Sequence, residues 1–587
     1  MRKLFKNLTK RDKVIIFIIA LIIVFQVGVE LRLPDFMSEI TKLIQQDGSK
    51  MSEILEQGGY MLACAFASMA SAIIIGYLVS GLSARFSLKL REKLFKKVQK
   101  LDSENIKKIS TPSLITRTTN DVTQIEMLIA LGLLALIKAP IMAVWAVTKI
   151  INKSYQLSII VGVGVIILLI TIFTIMYFVT PKFKKVQKLT DDVNKVTRDN
   201  IIGVRVIRAF NAEKFHKDKF NITNVDLTNT NLFIQKVFAF MSPVMNIVMH
   251  FLTLGIYFIG ALLIVNAGMM EKINLFSNMV VFTSYGMQVI MSFLMLSMIF
   301  MILPRAQVSA NRINEVLDTT ISINAGPKTT KDKNEIGTVE FKNVSFKYPD
   351  ADEYILDDIS FKVNKGETVA FIGSTGSGKS TLINLIPRFY DTTKGEILVD
   401  GINVKDYKLN SLHNIVGYVS QKAFMFTASI KENVSFGDNG KEKPDLQKIM
   451  ESVQIAQAKD FIKEMPKGIN SHIARGGTNI SGGQKQRLSI ARVIARDPEI
   501  YIFDDTFSAL DYKTDKNLRN DLKEYTKEAT TLIVAQRIGT ILNADKIIVL
   551  DKGKCVGVGT HKELLKNCDI YKEIALSQLT KEELENA

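Results

Sequence analysis

Apolar residues in this chain are gathered into long runs. Six of them, at about 14–33, 59–80, 128–150, 157–180, 243–266 and 279–303, crowd the first half, and each is long enough to cross a bilayer as a helix. The polar segments between them alternate in kind. Those at 35–57, 151–156 and 268–278 are short, and the first carries Asp35, Glu39, Asp47, Glu53 and Glu56 against two lysines. Those at 85–125 and 182–236 are long, and each holds about ten Lys or Arg residues. The positive-inside bias assigns the long segments, both termini and the whole second half to the cytoplasm. Residues 83–102 and 181–218 repeat apolar positions every three or four residues with few Gly or Pro, so each is expected to be a helix continuing from a span. At 1.5 Å per residue, about 20 such residues reach roughly 30 Å beyond the membrane. A separate small domain in each segment is the alternative.

The second half changes pattern. It reads as an ordinary soluble α/β domain. The expected division is a six-helix membrane domain at 1–317, a polar, Lys-rich linker at 318–338 containing Gly326-Pro327, and an α/β domain at 339–587. The basic segment 1–13 followed by apolar 14–29 resembles a signal peptide. The run is long for one, however, and Glu30-Leu31-Arg32-Leu33-Pro34 offers no small-residue cleavage site. A short interfacial helix followed by a retained span is expected.

Composition agrees with two or more domains: 587 residues exceed what one core supports, and 47% are hydrophobic. The net charge of +17 raises the question of nucleic acid, but the basic residues flank alternate spans and no nucleic-acid-reading motif is present. The lipid bilayer is the partner implied, and nucleic acid is not. Cys64, Cys555 and Cys568 form neither a disulfide framework nor a metal-ligand spacing.

Chemistry is concentrated in the second half. Gly373-Ser374-Thr375-Gly376-Ser377-Gly378-Lys379-Ser380, followed by Thr381, matches G-x-x-x-x-G-K-[ST] in full. An expected strand at 367–372 precedes it and an expected helix begins at Thr381. Glycines let backbone N–H groups close on phosphates, and the helix N-terminus adds its positive end. Lys379 is expected at the β and γ phosphates of ATP and Ser380 on Mg²⁺. A second strand, Ile500 to Asp504 with Asp505 after it, brings Asp504 to the Mg²⁺ side.

Ile480-Ser481-Gly482-Gly483-Gln484 narrows the class. This segment resembles the L-S-G-G-Q signature of the ABC transporter family, with Ile480 in place of Leu. Other positions resemble that family too. Tyr348 is similar to its adenine-stacking aromatic, Gln421 to the glutamine that touches Mg²⁺ and the membrane domain, and the segment 508–511, ending in Asp511, to the D-loop. In the first half, 110–125, 203–210 and 311–318 resemble the intracellular helices of exporter-type members. The resemblance spans essentially the whole chain. It implies an exporter half that pairs with a second half-transporter, each signature closing on the ATP held by the other chain, with one coupling helix crossing to the partner.

Two positions depart from the family pattern. Asp505 stands where a catalytic glutamate is expected, and Gln536 where a switch histidine is expected. Aspartate is one methylene shorter, and misplacement of about 1 Å can cost about 100-fold in rate. Glutamine carries no proton charge with which to steady a γ-phosphate. Both changes fall on the ATP bound by this chain, while its signature is intact. The expectation is a hydrolysis-impaired site in a heterodimer whose partner carries Glu, His and an altered signature. A homodimer with two slow sites, or a regulatory ABC membrane protein that moves nothing, are the alternatives.

Substrate contacts are less legible. Asn246, His250 and Gln288 are polar residues within the last two spans, and Met287, Met291, Met295 and Met298 share one face of the sixth. Polar groups there face a cavity or bond a neighbouring helix, and methionine suits a surface that accepts many shapes. Amphipathic drugs or lipids are the expected small-molecule substrates. Richness in Lys, Ile and Asn points to a bacterial plasma membrane.

Overall fold

The computed structural model describes residues 1–6, 8–46, 48–151, 153–265, 267–329, 335–349 and 351–580. Asp47, residue 266 at the end of the fifth expected span, 330–334 of the expected linker and 581–587 lie outside them. The chain forms two compact units, one of Met1–Leu101 and Asn105–Thr319, the other of Asp102–Glu104 and Thr320–Ala587.

The first unit is helical. Among the described residues six helical runs are long and apolar enough to cross a membrane: α1 (Lys10–Gln45), α2 (Met51–Val98), α3 (Thr111–Ile151), α4 (Tyr155–Ile202), α5 (Glu213–Val265) and α6 (Glu271–Asp318). A short helix at Arg2–Phe5 precedes them, as the basic N-terminus predicts. Thr9 then starts α1 with a capping box, accepting from the Asp12 N–H while Asp12 accepts from the Thr9 N–H. The same buried Asp12 takes Lys89 of α2 at 3.3 Å.

Apolar residues cover both sides of these helices. Ile19, Ile23, Val27, Leu82, Leu252, Phe282 and Tyr285 are buried between them, while Phe17, Ile73, Tyr77, Ile170 and Phe258 are exposed. Such a surface is suited to lipid and not to water. Segment 35–57 is mostly helical, with Leu33–Gln45 continuing α1 after a turn at Leu31–Arg32 and α2 beginning at Met51. The single helix expected at 181–218 is also corrected. α4 stops at Gly203, a short helix occupies Val204–Ala209, and Asn211 takes φ +51° before α5 begins. Gly203, where a Cβ would press on the Asp199 carbonyl oxygen, and Asn211, tolerant of the left-handed region, suffice to fold the chain back, and a periodicity count does not register them.

The second unit is built, among the described residues, on two large sheets and a two-stranded pairing of Ala428–Ser429 with His472–Ile473. β1 (Val339–Phe346), β2 (Leu356–Val363), β4 (Lys394–Val399) and β5 (Ile402–Asn403) make an antiparallel sheet in the order β2-β1-β4-β5. β3 (Thr368–Gly373), β6 (Val416–Val419), β7 (Ile500–Asp504), β8 (Thr530–Val534), β9 (Lys546–Asp551) and β10 (Lys554–Gly559) make the central sheet, ordered β10-β9-β3-β8-β7-β6. It is parallel except at β10. β7 and β8 are buried along their whole length, and in β7 Ile500-Tyr501-Ile502-Phe503 accordingly form a continuous apolar run that does not alternate. Ahead of β1, Gly326 and Lys328 bond their N–H groups to Tyr407 and Asp406, so this stretch is tied to the second unit.

Candidate functional site

In the central sheet, register brings the chemistry together. Val534 lies opposite both Phe371 and Asp504, and Val419 opposite Phe503. The C-terminal ends of β3, β6, β7 and β8 therefore finish level, and the loops leaving them carry residues 373–380, Gln421, Asp505 and Gln536. Ligands of open parallel sheets bind at these ends.

The Gly373–Ser380 loop leads into helix α7 (Lys379–Leu385). Gly378 caps it with φ +97°, and a Cβ there would collide with Leu356. Only glycine satisfies both demands. Lys379 is buried, and its Nζ donates to the carbonyls of Gly373 and Ser374 at 2.8 Å each. Burial pulls its ammonium below its ordinary range, against the pull of Asp505 and Asp504. A phosphate would restore the charge balance that burial disfavours.

Asp504 is buried at the end of β7, accepting from Ser380 Oγ at 2.8 Å and from the Tyr418 hydroxyl at 3.2 Å. Burial raises its carboxyl above the usual range, although both donors oppose the shift. Burial likewise pushes the Tyr418 phenol well up. Tyr418 was not anticipated. It sits in the short apolar strand β6, where an aromatic reads as core, and only its spacing of three before Gln421 could have marked it.

Asp505 departs from strand geometry, with φ +46°. Its Oδ2 accepts two amides, Gln421 Nε2 at 3.1 Å and Gln536 Nε2 at 2.6 Å. The two residues that depart from the family pattern are thus bonded to each other, and Gln421 joins them. Tyr348 is half-buried beside the loop, its hydroxyl 3.2 Å from Thr381 Oγ1, with its ring edge-on to Phe346 and Tyr390.

Ser380, Gln421 and Asp504 offer a hydroxyl, an amide and a carboxylate, the oxygen donors that Mg²⁺ takes. Among the described residues no cluster of three His, Cys, Asp or Glu could hold a metal by itself. A cation here would therefore need phosphate oxygens and water to complete its shell.

The signature residues stand apart from this group. Ser481 caps helix α8 (Gly482–Arg496) in a capping box, accepting from the Gln484 N–H while Gln484 Oε1 accepts from the Ser481 N–H at 2.9 Å. Ser481 and Gly482 are exposed, and none of residues 481–484 hydrogen-bonds the 373–380 loop among the described residues. Asp511 caps helix α9 (Tyr512–Tyr525), and the Thr514 N–H it accepts holds its carboxyl below the usual range.

In the first unit, Met287, Met291 and Met298 are exposed on α6 and Met295 partly so. Gln288 makes no interhelical bond through its carbonyl oxygen, which is buried without a partner among the described residues. Asn246 and His250 are exposed on α5, the latter beside Phe251, Leu254 and Tyr257. No hydrogen bond joins either residue to the α6 group among the described residues.

Comparison with known proteins agrees with this arrangement. Residues 356–508 match the family described as ABC transporter, and residues 16–293 match the ABC transporter transmembrane region. The chain is 37% identical over 548 residues to the Mycobacterium tuberculosis protein named uncharacterized ABC transporter ATP-binding protein Rv1273c, covering 92% of this chain and 93% of that one. It is 33% identical to the Bacillus subtilis protein YfiB, an uncharacterized ABC transporter ATP-binding protein, over 96% of each chain. It is 30% identical to the ATP-dependent lipid A-core flippase of Pseudomonas fluorescens, over 82% of this chain and 78% of that one. Its fold matches a bacterial Atm1-family ABC exporter solved with ATP bound, with a TM-score of 0.82 and 23% identity, over 97% of this chain and 99% of that one.

Proposed function

The chain belongs to the ABC transporter family and is a multi-pass membrane subunit of an ATP-driven exporter, and we propose that its own ATP site is hydrolysis-impaired while its signature completes a competent site on a different partner chain. The observation that supports this reading is the Gln421–Asp505–Gln536 arrangement. A carboxylate that polarises water must present a free oxygen toward the γ-phosphate. Here the side chain is short, starts from a left-handed backbone, and has Oδ2 already engaged by two amides, which fix the carboxylate's orientation and leave Oδ1 alone to meet a water. Gln536 donates to Asp505 and carries no charge to offer a phosphate.

ATP binding, by contrast, has its parts in place. Lys379, the N–H groups of 374–380 and the positive end of α7 would cradle the phosphates, and Tyr348 would meet the base. Ser380, Asp504 and Gln421 would hold Mg²⁺, which when bound neutralises phosphate charge. Ser481, with Gly482 and Gly483 exposing N–H groups at the start of α8, would face the ATP of the second chain. Closure of the two nucleotide domains would drive alternating access in the helical bundle. Both termini and the nucleotide domain would then be cytoplasmic, and the substrate an amphipathic small molecule.

The test is ATP turnover by the purified chain alone against turnover with the half-transporter encoded beside it. Turnover at least ten-fold higher with the companion is expected. Equal rates would replace this reading with a homodimer.

A further inference from the structure

Lys138 lies in the middle of the expected third span and Glu30 at the end of the first. The structure pairs them at 2.9 Å, with side chains 16% and 19% exposed. Glu30 Oε1 also accepts from Gln26 Nε2 and from Ser68 Oγ, each at 2.9 Å, so all three donors fall on one oxygen. Among the described residues Oε2 accepts nothing, yet it is not among the sealed polar atoms. Lys138 likewise spends one of its three N–H groups on Glu30 and makes no other hydrogen bond among the described residues. A carboxylate and an ammonium serving only to staple helices would be worth their desolvation cost when both are fully bonded. This pair instead keeps an acceptor and donors open side by side within the membrane-spanning part, where an unbonded polar atom against lipid is expensive.

We propose that Glu30 and Lys138 bind a zwitterionic headgroup on an amphiphile, its ammonium donating to Glu30 Oε2 and its anionic oxygen accepting from Lys138. The pair is neutral overall, so a ligand carrying only one charge would leave it unbalanced, while a zwitterion satisfies both open groups at no net charge. The inference rests on the exporter reading and names the chemistry of what is carried. A membrane lipid with an ethanolamine phosphate head and a free molecule such as a hydrophobic dipeptide both present this chemistry.

The chain supplies its own reporter. Trp145 is its sole tryptophan, two helical turns from Lys138 on the same face, and it packs over Gly28, two residues before Glu30. The experiment uses the full-length chain in neutral maltoside micelles without nucleotide, so its result is independent of hydrolysis and pairing. Trp145 emission and equilibrium dialysis would follow titration with a hydrophobic dipeptide bearing free termini, its N-acetylated and C-amidated forms, and lysophosphatidylethanolamine.

Saturable binding of the free dipeptide, the lysolipid or both is expected, and which one binds identifies the source. Each blocked dipeptide should bind at least ten-fold more weakly. Glu30→Gln and Lys138→Met should each weaken binding by at least ten-fold, and Lys138→Arg should retain it. Equal binding of blocked and free dipeptides overturns the proposal. So does unchanged binding in Glu30→Gln, or no saturable response to either probe, and each of these would leave the exporter reading intact.

Discussion

Asp505 carries the residue-scale argument because two independent constraints act on it. Its backbone φ of +46° is tolerated by aspartate better than by most side chains, and its Oδ2 is held by both Gln421 and Gln536. Restoring reach and charge together should therefore matter more than restoring either alone. Asp505→Glu combined with Gln536→His is expected to raise ATP turnover of the purified chain at least ten-fold, measured at saturating ATP–Mg²⁺. The single Asp505→Glu should do less, because the Gln536 amide would still occupy the carboxylate. If the double variant turns over ATP no faster than the parent, these two positions are not what limits hydrolysis. The sequence made both substitutions visible because each breaks a motif. It did not reveal that they touch, since 31 residues separate them and only the pairing of β7 with β8 brings them level.

The elements were legible to different degrees. Six spans could be read from apolar runs because lipid requires long uninterrupted stretches, and the strands at 367–372 and 500–504 from short ones because both sheet faces are covered. Helix breaks left little trace. Gly203 and Asn211 interrupt a periodic segment with one residue each, and the turn at Leu31–Arg32 lies within residues that read as a plain span end. That turn depends on a contact from far along the chain. The buried Tyr285 of α6 donates its hydroxyl to the Leu31 carbonyl at 2.7 Å, satisfying a backbone acceptor freed where the helix stops. Tyr285→Phe removes the donor and keeps the ring. It should cost about 1 kcal/mol, read as a lower unfolding temperature of the helical unit in micelles with ATP affinity unchanged. An unaltered unfolding temperature would mean that the turn is held by packing alone.

At the scale of the whole molecule, acidity acts on the nucleotide-binding unit through the half-buried His413 and the buried His561, each beside a cation. Burial lowers the His413 pKa against its bond to the Pro387 carbonyl, and Arg496 lowers it further. Burial also lowers that of His561, with Lys562 adding to the effect, while its Nδ1 lies 2.6 Å from the Tyr571 hydroxyl. An imidazole whose pKa is depressed in the folded state binds fewer protons there than in the unfolded chain. The stability this contributes is complete above the unfolded value of about 6.5 and is lost as pH falls below it toward the folded values. Protonation also adds positive charge to a chain already at +17. Calorimetry between pH 7.5 and 5.5 should therefore show the nucleotide-unit transition moving down, by about 2–4 °C for each kcal/mol lost. His413→Gln with His561→Gln removes both titrating groups and should flatten that dependence while lowering the transition at neutral pH, because the native bonds go with the rings. A double variant that keeps the parent's slope would shift the cause to carboxylates held below their usual range, such as Glu367, which accepts from the Asn364 N–H and from Lys546 and whose contribution is lost on acidification in the same direction. Asp504 works in the opposite direction: burial raises its pKa by destabilising the ionised form, so acidification through its range would favour the fold. The two kinds of contribution thus have opposite signs, and the direction of the midpoint shift tells which one dominates.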